Sequence, residues 1–333
     1  MKIFLKVFLC ISVSMVILQC GGKKAAEDLS YYQGVLDKAK PMFAVIPAQM
    51  PGSENDTDGI IKLGEKLYHE TALSNTKEMS CNTCHNLTQA GVDNLPTSKG
   101  TNGIPGTRNS PTVFNAGFHF AQFWDGRAAD LKEQAGGPIL NPAEMSHSDT
   151  ATAVARIKAI DAYTPLFIAA FGEGSINYES MTEALAAFER TLITRDRFDD
   201  FLHGDLTALT KTEVEGLALF MEKACTTCHL GSMLGANIFQ KSGLLKPYKN
   251  LEDKGRFEVT GNEQDKYIFK VPSLRNVALT GPYFHDGGVE SLEETIIMMG
   301  EMQLMQEISP EQATKIAAFL ASMNGKQFDK ESI

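Results

Sequence analysis

Basic side chains are scarce in this chain of 333 residues: 31 lysines and arginines face 41 aspartates and glutamates, a net charge of −10. That balance excludes nucleic-acid binding, which asks for a basic face, and suits a basic protein partner. Alternating apolar and polar runs are few, so an extended sheet has little to build on. Tryptophan occurs once, as Trp124, and cysteine six times. No apolar run reaches the roughly 20 residues of a membrane span; the longest candidate, 7–18, falls short. What remains is ordinary for a soluble globular protein, with 43% hydrophobic and 22% charged residues. The length suggests about two domains.

Four of the six cysteines fall in two copies of one motif, Cys81-Asn82-Thr83-Cys84-His85 and Cys225-Thr226-Thr227-Cys228-His229. Two cysteines at this spacing can each form a thioether to a haem vinyl group, and the adjoining histidine then becomes the proximal iron ligand. A zinc knuckle or a redox dithiol is the competing reading, but neither asks for the adjacent histidine. Two covalently bound c-type haems are therefore expected.

The other two cysteines lie in the first 20 residues. Lys2 and Lys6 followed by the apolar run read as an export signal over 1–19. Cys20 follows Gln19 and precedes Gly21, in the manner of an acylated lipoprotein cysteine, although Gln19 is not the usual small residue. With Cys10 inside the signal, Cys20 is the thiol left without a role, which favours a lipid anchor at that position. Residues 20–50 then form a tether and N-terminal extension.

An internal repeat runs deeper than the motifs. With Pro111 set against Pro272, Asn115 meets Asn276, Phe123 meets Phe284, and Asp125-Gly126 meets Asp286-Gly287 without a gap. Each motif follows an amphipathic stretch, one carrying Ile60, Leu63, Leu67 and Tyr68, the other Val214, Leu217, Phe220 and Met221. Thr210 and Glu213 form a capping box for the second stretch. Helices are also expected over 152–160, over 181–202, and after Ser309-Pro310, with Gln312 closing the box and Gly325 as the stop. The expected fold is all-α: two tandem cytochrome c-like domains, 51–205 and 206–333, with one haem each.

The halves differ where a second axial ligand would come from. Met298 and Met299 offer a thioether in the second half, with packing in the core as the plainer alternative. The residue aligned with Met299 in the first half is Pro138, which cannot ligate iron. Glu144-Met145 follows shortly after. A carboxylate beside an open iron can move a proton between the two oxygens of a peroxide, whereas Met145 could itself ligate.

These residues together resemble the bacterial di-haem cytochrome c peroxidases. The stretches 91–98, 108–116 and 122–131, the run 281–286 and Met299-Gly300 carry the likeness, which covers about 55–325. The resemblance implies a peroxidatic haem held by Cys81, Cys84 and His85, with Glu144 and Gln134 lining its distal pocket. Trp124 would stand between the haems. Cys225, Cys228, His229 and Met299 would hold the electron-accepting haem, and Asn109, Thr280 and Pro282 a calcium ion. It also implies hydrogen peroxide as substrate, a small cytochrome c or cupredoxin as donor, a homodimer, and a periplasmic location. Many members carry a histidine that caps the first haem at the position of Thr101; here the loop 99–106 has none. A first haem active without prior reduction is the expectation; were it capped by histidine after all, His119 or His147 would be the unexpected ligand. The alternatives are a di-haem oxidase of a protein or organic substrate, or a di-haem electron carrier.

Overall fold

The computed structural model describes residues 16–328, with side chains from residue 28 onward. Most of the expected leader (1–19), and the side chains of Cys10 and Cys20, lie outside the described residues. Among these residues no helix is long and apolar enough to cross a membrane.

The chain is mainly helical. In order, the helices are α1 (Val16–Ala39), α2 (Asp58–Tyr68), α3 (Cys81–Cys84), α4 (Leu131–Leu140), α5 (Thr150–Lys158), α6 (Thr164–Phe171), α7 (Tyr178–Glu189), α8 (Arg197–His203), α9 (Lys211–Glu222), α10 (Phe257–Thr260), α11 (Leu292–Leu304) and α12 (Pro310–Ala321). One short antiparallel pair, β1 (Phe239–Lys241) with β2 (Ile268–Lys270), is the departure from an all-α chain. Three-residue strands have no periodicity that a sequence can display.

Two helix trios carry the two halves. In the first, α2 packs on α7, which also receives α4. In the second, α9 packs on α12, which also receives α11. Both main crossings are made by glycine. A Cβ on Gly64 would lie 1.8 Å from the Ala184 carbonyl oxygen, and one on Gly216 would lie 1.9 Å from that of Lys315. Leu63, Leu67, Leu185 and Phe188 fill the first core, and Val214, Leu217, Phe220 and Phe319 the second.

The loops before α4 and α11 repeat the same backbone. Asn115 and Asn276 have φ of 65° and 63°, and Phe123 and Phe284 have 67° and 68°. The two asparagines converge on one buried residue: each donates its side-chain amide to Thr194 Oγ1, at 2.8 Å from Asn115 and 3.4 Å from Asn276. α4 and α11 then start at aligned residues, capped by Asp130 and Ser291.

Two expectations are corrected. The helix expected over 181–202 is two helices, because the Asp196 side chain accepts from the Asp199 N–H and opens α8 anew. Of the expected tether and N-terminal extension over 20–50, the extension packs on the body of the protein. The chain is helical to Ala39, and Val35, Leu36 and Phe43 pack into the second core. Gly325 does not stop α12, which ends at Ala321. Its N–H donates to Asn276 Oδ1, and a Cβ there would meet Thr194 at 2.8 Å. The capping boxes at Thr210/Glu213 and Ser309/Gln312 stand as expected.

Candidate functional site

The last turn of α2 positions the first motif, since Tyr68 donates its hydroxyl to the His85 carbonyl at 2.6 Å. α3 then carries Cys81 and Cys84, and the Ser80 N–H donates to Thr83 Oγ1 at 3.0 Å to fix its start. The His85 ring lies 3.0 Å from the Pro111 carbonyl through Nδ1. In the second half His229 Nδ1 donates to the Leu234 carbonyl at 2.7 Å. In both, the proton is committed to Nδ1 and Nε2 keeps the lone pair an iron needs. Burial pushes both imidazoles below their ordinary pKa, which keeps them neutral. The turn that offers Leu234 to His229 needs Gly235: its φ is 131°, and a Cβ there would lie 2.2 Å from the Pro272 carbonyl oxygen.

Burial also raises the four thiols, Cys84 and Cys225 to about 11. Redox-active cysteines need the opposite shift. Among the described residues, moreover, no three His, Cys, Asp or Glu side chains gather as metal ligands. The motifs thus lack the lowered thiols of a redox dithiol.

Cys225, Cys228 and His229 open into one cavity of about 240 Å³, whose wall is mainly apolar. At roughly 10–15 Å³ per water it would take on the order of twenty waters against hydrocarbon. A large apolar group such as a porphyrin is the better occupant. Met299 lines this cavity and Met298 does not. The same cavity reaches Trp124, Asn109, Thr280 and Pro282.

Trp124 donates Nε1–H to the Asn109 carbonyl at 2.9 Å, and its ring centroid is 6.5 Å from that of His285. Asn109 gives its side-chain N–H to the Leu95 carbonyl at 2.9 Å, which leaves its amide oxygen for another partner. Arg108 links the halves by pairing with Asp125 at 2.5 Å and Asp253 at 2.6 Å.

Glu144 is half-buried near the first motif. Its carboxylate oxygen Oε1 accepts from Asn141 Nδ2 at 2.7 Å. Burial raises its pKa, while Asn141 and Arg127 oppose the rise. Its charge in turn raises both Cys81 and Cys84. Gln134 is half-buried on α4, one turn before Pro138, and Pro138 has no N–H to return to the Gln134 carbonyl. Met145 belongs to the first core among Leu73 and Ile139.

Thr101 is buried, its N–H donating to the Glu144 carbonyl at 2.8 Å while Oγ1 has no partner. His147 Nε2 faces the Ala72 carbonyl at 3.4 Å. His119 lines the cavity of the second motif, paired with Lys270. Asn141 escaped the sequence reading, although its place three residues before Glu144 is the spacing at which a short amide can reach a carboxylate. The pairing of Lys270 with His119 gave no signal, the two being 151 residues apart.

Known proteins offer an independent measure. A family description, "Di-haem cytochrome c peroxidase", matches residues 59–207. The cytochrome c551 peroxidase of Nitrosomonas europaea is 41% identical over 321 residues, covering 96% of this chain and 92% of that protein. That of Pseudomonas aeruginosa is 42% identical over 315 residues, covering 91% and 90%. A crystal structure of a MauG-like protein associated with microbial copper homeostasis superposes with a TM-score of 0.76 at 28% identity, covering 85% of this chain and 94% of that one.

Proposed function

The chain belongs to the di-haem cytochrome c peroxidase family, an oxidoreductase acting on hydrogen peroxide, and from that premise we propose how its two halves divide the work. Residues 51–205 form the peroxidatic domain, with a haem on Cys81 and Cys84 and His85 as proximal ligand. Residues 206–333 form the electron-transfer domain, with a haem on Cys225 and Cys228 between His229 and Met299. Bound there, the haems supply one iron that reduces peroxide and a second that stores and passes electrons. The observation that carries this division is that Met299 shares the cavity of His229, whereas the aligned residue in the first half is Pro138. A Met299 thioether would raise the potential of the second haem.

Glu144 is the acid–base group. Its carboxylate takes a proton from one peroxide oxygen and returns it to the other as the O–O bond breaks. Two electrons and two further protons then complete two waters. Asn141 holds one carboxylate oxygen, so the other is free to carry the proton. Gln134 lines the same pocket. Trp124 bridges the haem sites. Asn109, through its amide oxygen, and Thr280 and Pro282, through backbone carbonyls, hold a calcium ion; such oxygens suit a hard cation. With threonine at 101, no histidine caps the first haem at rest, and the enzyme reacts without prior reduction. A low-spin bis-histidine EPR signal from that haem in the oxidised protein would overturn this.

The electrons come from a small periplasmic cytochrome c or cupredoxin, for which the net charge of −10 favours a basic partner. The protein works as a homodimer in the periplasm, anchored through an acylated Cys20. The acid–base assignment is tested by Glu144→Gln in a turnover assay with reduced cytochrome c. The expected loss is about 10²–10⁴-fold with both haem spectra kept. Unchanged turnover would remove Glu144 from the mechanism.

A further inference from the structure

A buried lysine without an acid stands in the cavity of the second haem motif. Lys270, at the end of β2, is 7% exposed, and its backbone N–H donates to the Trp124 carbonyl at 2.7 Å. Its ammonium lies 2.9 Å from His119 Nδ1. An ammonium has no lone pair, so it donates and Nδ1 accepts. The ring proton of His119 therefore sits on Nε2, and that atom is buried with no partner. Among the described residues no carboxylate is within ion-pair distance of Lys270. Asp125 acts on it only through space, being held at short range by Arg108 and Arg127. Burial accordingly draws the lysine down to about 8.

The pair thus offers donors alone: the remaining ammonium N–H groups and the His119 Nε2–H. Both residues line the cavity that also receives Cys225, Cys228 and His229. A buried cation without a counter-charge is costly, and the group that relieves it must be an anion that only accepts hydrogen bonds. A carboxylate meets both conditions. The only ionised groups that a haem carries are its two propionates.

We infer that Lys270 and His119 seat a carboxylate, namely one propionate of the haem attached at Cys225 and Cys228. The inference rests on the assignment of the second haem to those cysteines. The pair then does more than anchor. It balances the propionate charge next to the iron, and without that balance the reduced state, which is one charge more negative, is disfavoured. The site adds to Met299 in keeping the second haem easy to reduce. It also ties the haem edge to the Trp124 backbone through Lys270.

The test uses the purified di-haem protein with Lys270→Met, Lys270→Arg and His119→Phe. Haem content is counted per chain, the second haem is titrated spectroelectrochemically, and its propionate bending mode is read by resonance Raman. With two haems bound, Lys270→Met should lower the equilibrium constant for reducing the second haem about tenfold, which is 59 mV for one electron, and shift the propionate mode. Lys270→Arg should retain the potential. His119→Phe leaves the charge and removes one donor, so it should shift the Raman mode with a smaller change in potential, and it serves alone if Lys270→Met does not fold. An unchanged potential and Raman mode in variants that carry two haems would overturn the seat. A wild type with one haem per chain would instead overturn the cysteine assignment beneath it.

Discussion

Alanine at Gly64 should loosen the first half of the molecule and leave the second intact; alanine at Gly216 should do the reverse. Both glycines lie mid-helix, where alanine would normally stabilise by up to about 1 kcal/mol. Here the new methyl would sit 1.8 Å from the Ala184 carbonyl oxygen and 2.8 Å from the Phe188 Cβ. Neither atom is the free end of a flexible side chain. α2 and α7 must therefore separate by more than an ångström, and Leu63 and Leu67, fully buried between them, lose part of their packing. Overpacking of this kind costs about 1–3 kcal/mol. The partial exposure of two leucines adds to it, since full burial of each is worth about 1.5–3 kcal/mol. The net expectation, after subtracting the propensity gain, is a loss of about 2 kcal/mol or more. Gly216 faces the Lys315 carbonyl oxygen at 1.9 Å and the Phe319 Cβ at 2.9 Å, so its cost is similar. Denaturant titration, followed at the absorption of each haem, separates the two. Gly64→Ala should release the first haem's environment early while the second haem keeps its native spectrum, and Gly216→Ala should invert that order. Gly34→Ala is the control: it has open space around it in α1 and should stabilise slightly. If Gly64→Ala melts with the wild type or above it, the close crossing is not where the structure has it and the reasoning fails.

Arg275→Met should cost about 3–5 kcal/mol in denaturant, because Arg275, itself buried, is the partner of Asp196 at 2.6 Å and Asp199 at 3.0 Å, both of them buried; a variant that unfolds with the wild type would show those carboxylates to be self-sufficient. Met299→Leu should lower the potential of the second haem and Met298→Leu should not, as redox titration would report; equal effects would disqualify Met299 as the ligand. Glu189 is raised by burial from 4.5 to about 8. Between those values the folded state keeps a proton that the unfolded state has lost, so stability falls as pH rises, by at most about 1.4 kcal/mol per pH unit. Glu189→Gln removes that slope: it should match the wild type near pH 4.5 and exceed it increasingly towards pH 8, and parallel stability curves in urea would refute the shift.

What could be read from the chain was whatever its neighbours in sequence decide. A Cys-x-x-Cys-His motif closes on itself within one turn, and the boxes at Thr210/Glu213 and Ser309/Gln312 span three residues. The repeat was legible for the same reason, since a left-handed asparagine at 115 and again at 276 leaves the same local signature twice. Partnerships across the fold were not legible. Leu192 and Ile193 continue the apolar spacing of α7, yet the Arg190 side chain is drawn to Asp56 at 2.6 Å and Asp196 caps a new helix, so the pattern did not reveal the break. Lys270 lies in the run Ile268-Phe269-Lys270-Val271 and reads as the exposed face of a strand. Only the tertiary approach of His119 shows that it points inward.

The aligned positions that differ most between the halves are also positions where the halves meet. Trp124 and His285 correspond in the repeat, and their rings meet edge to face with centroids 6.5 Å apart. Asn109 joins them: its carbonyl accepts from Trp124, and its N–H donates to the His285 carbonyl at 2.7 Å. The Lys270 N–H binds the Trp124 carbonyl from the other side. A duplicated scaffold would by itself give two equivalent sites and no direction of flow. Direction needs an asymmetric contact on a rigid support, and this residue pair has one, held by backbone hydrogen bonds on both sides. A cation at the free amide oxygen of Asn109 would tighten that support, so calcium removal should disturb passage between the haems more than the chemistry at either. Single-turnover electron transfer between the haems, measured with and without chelator, reads this directly. A rate that is indifferent to calcium would separate Asn109's hydrogen bonds from any role as a metal ligand.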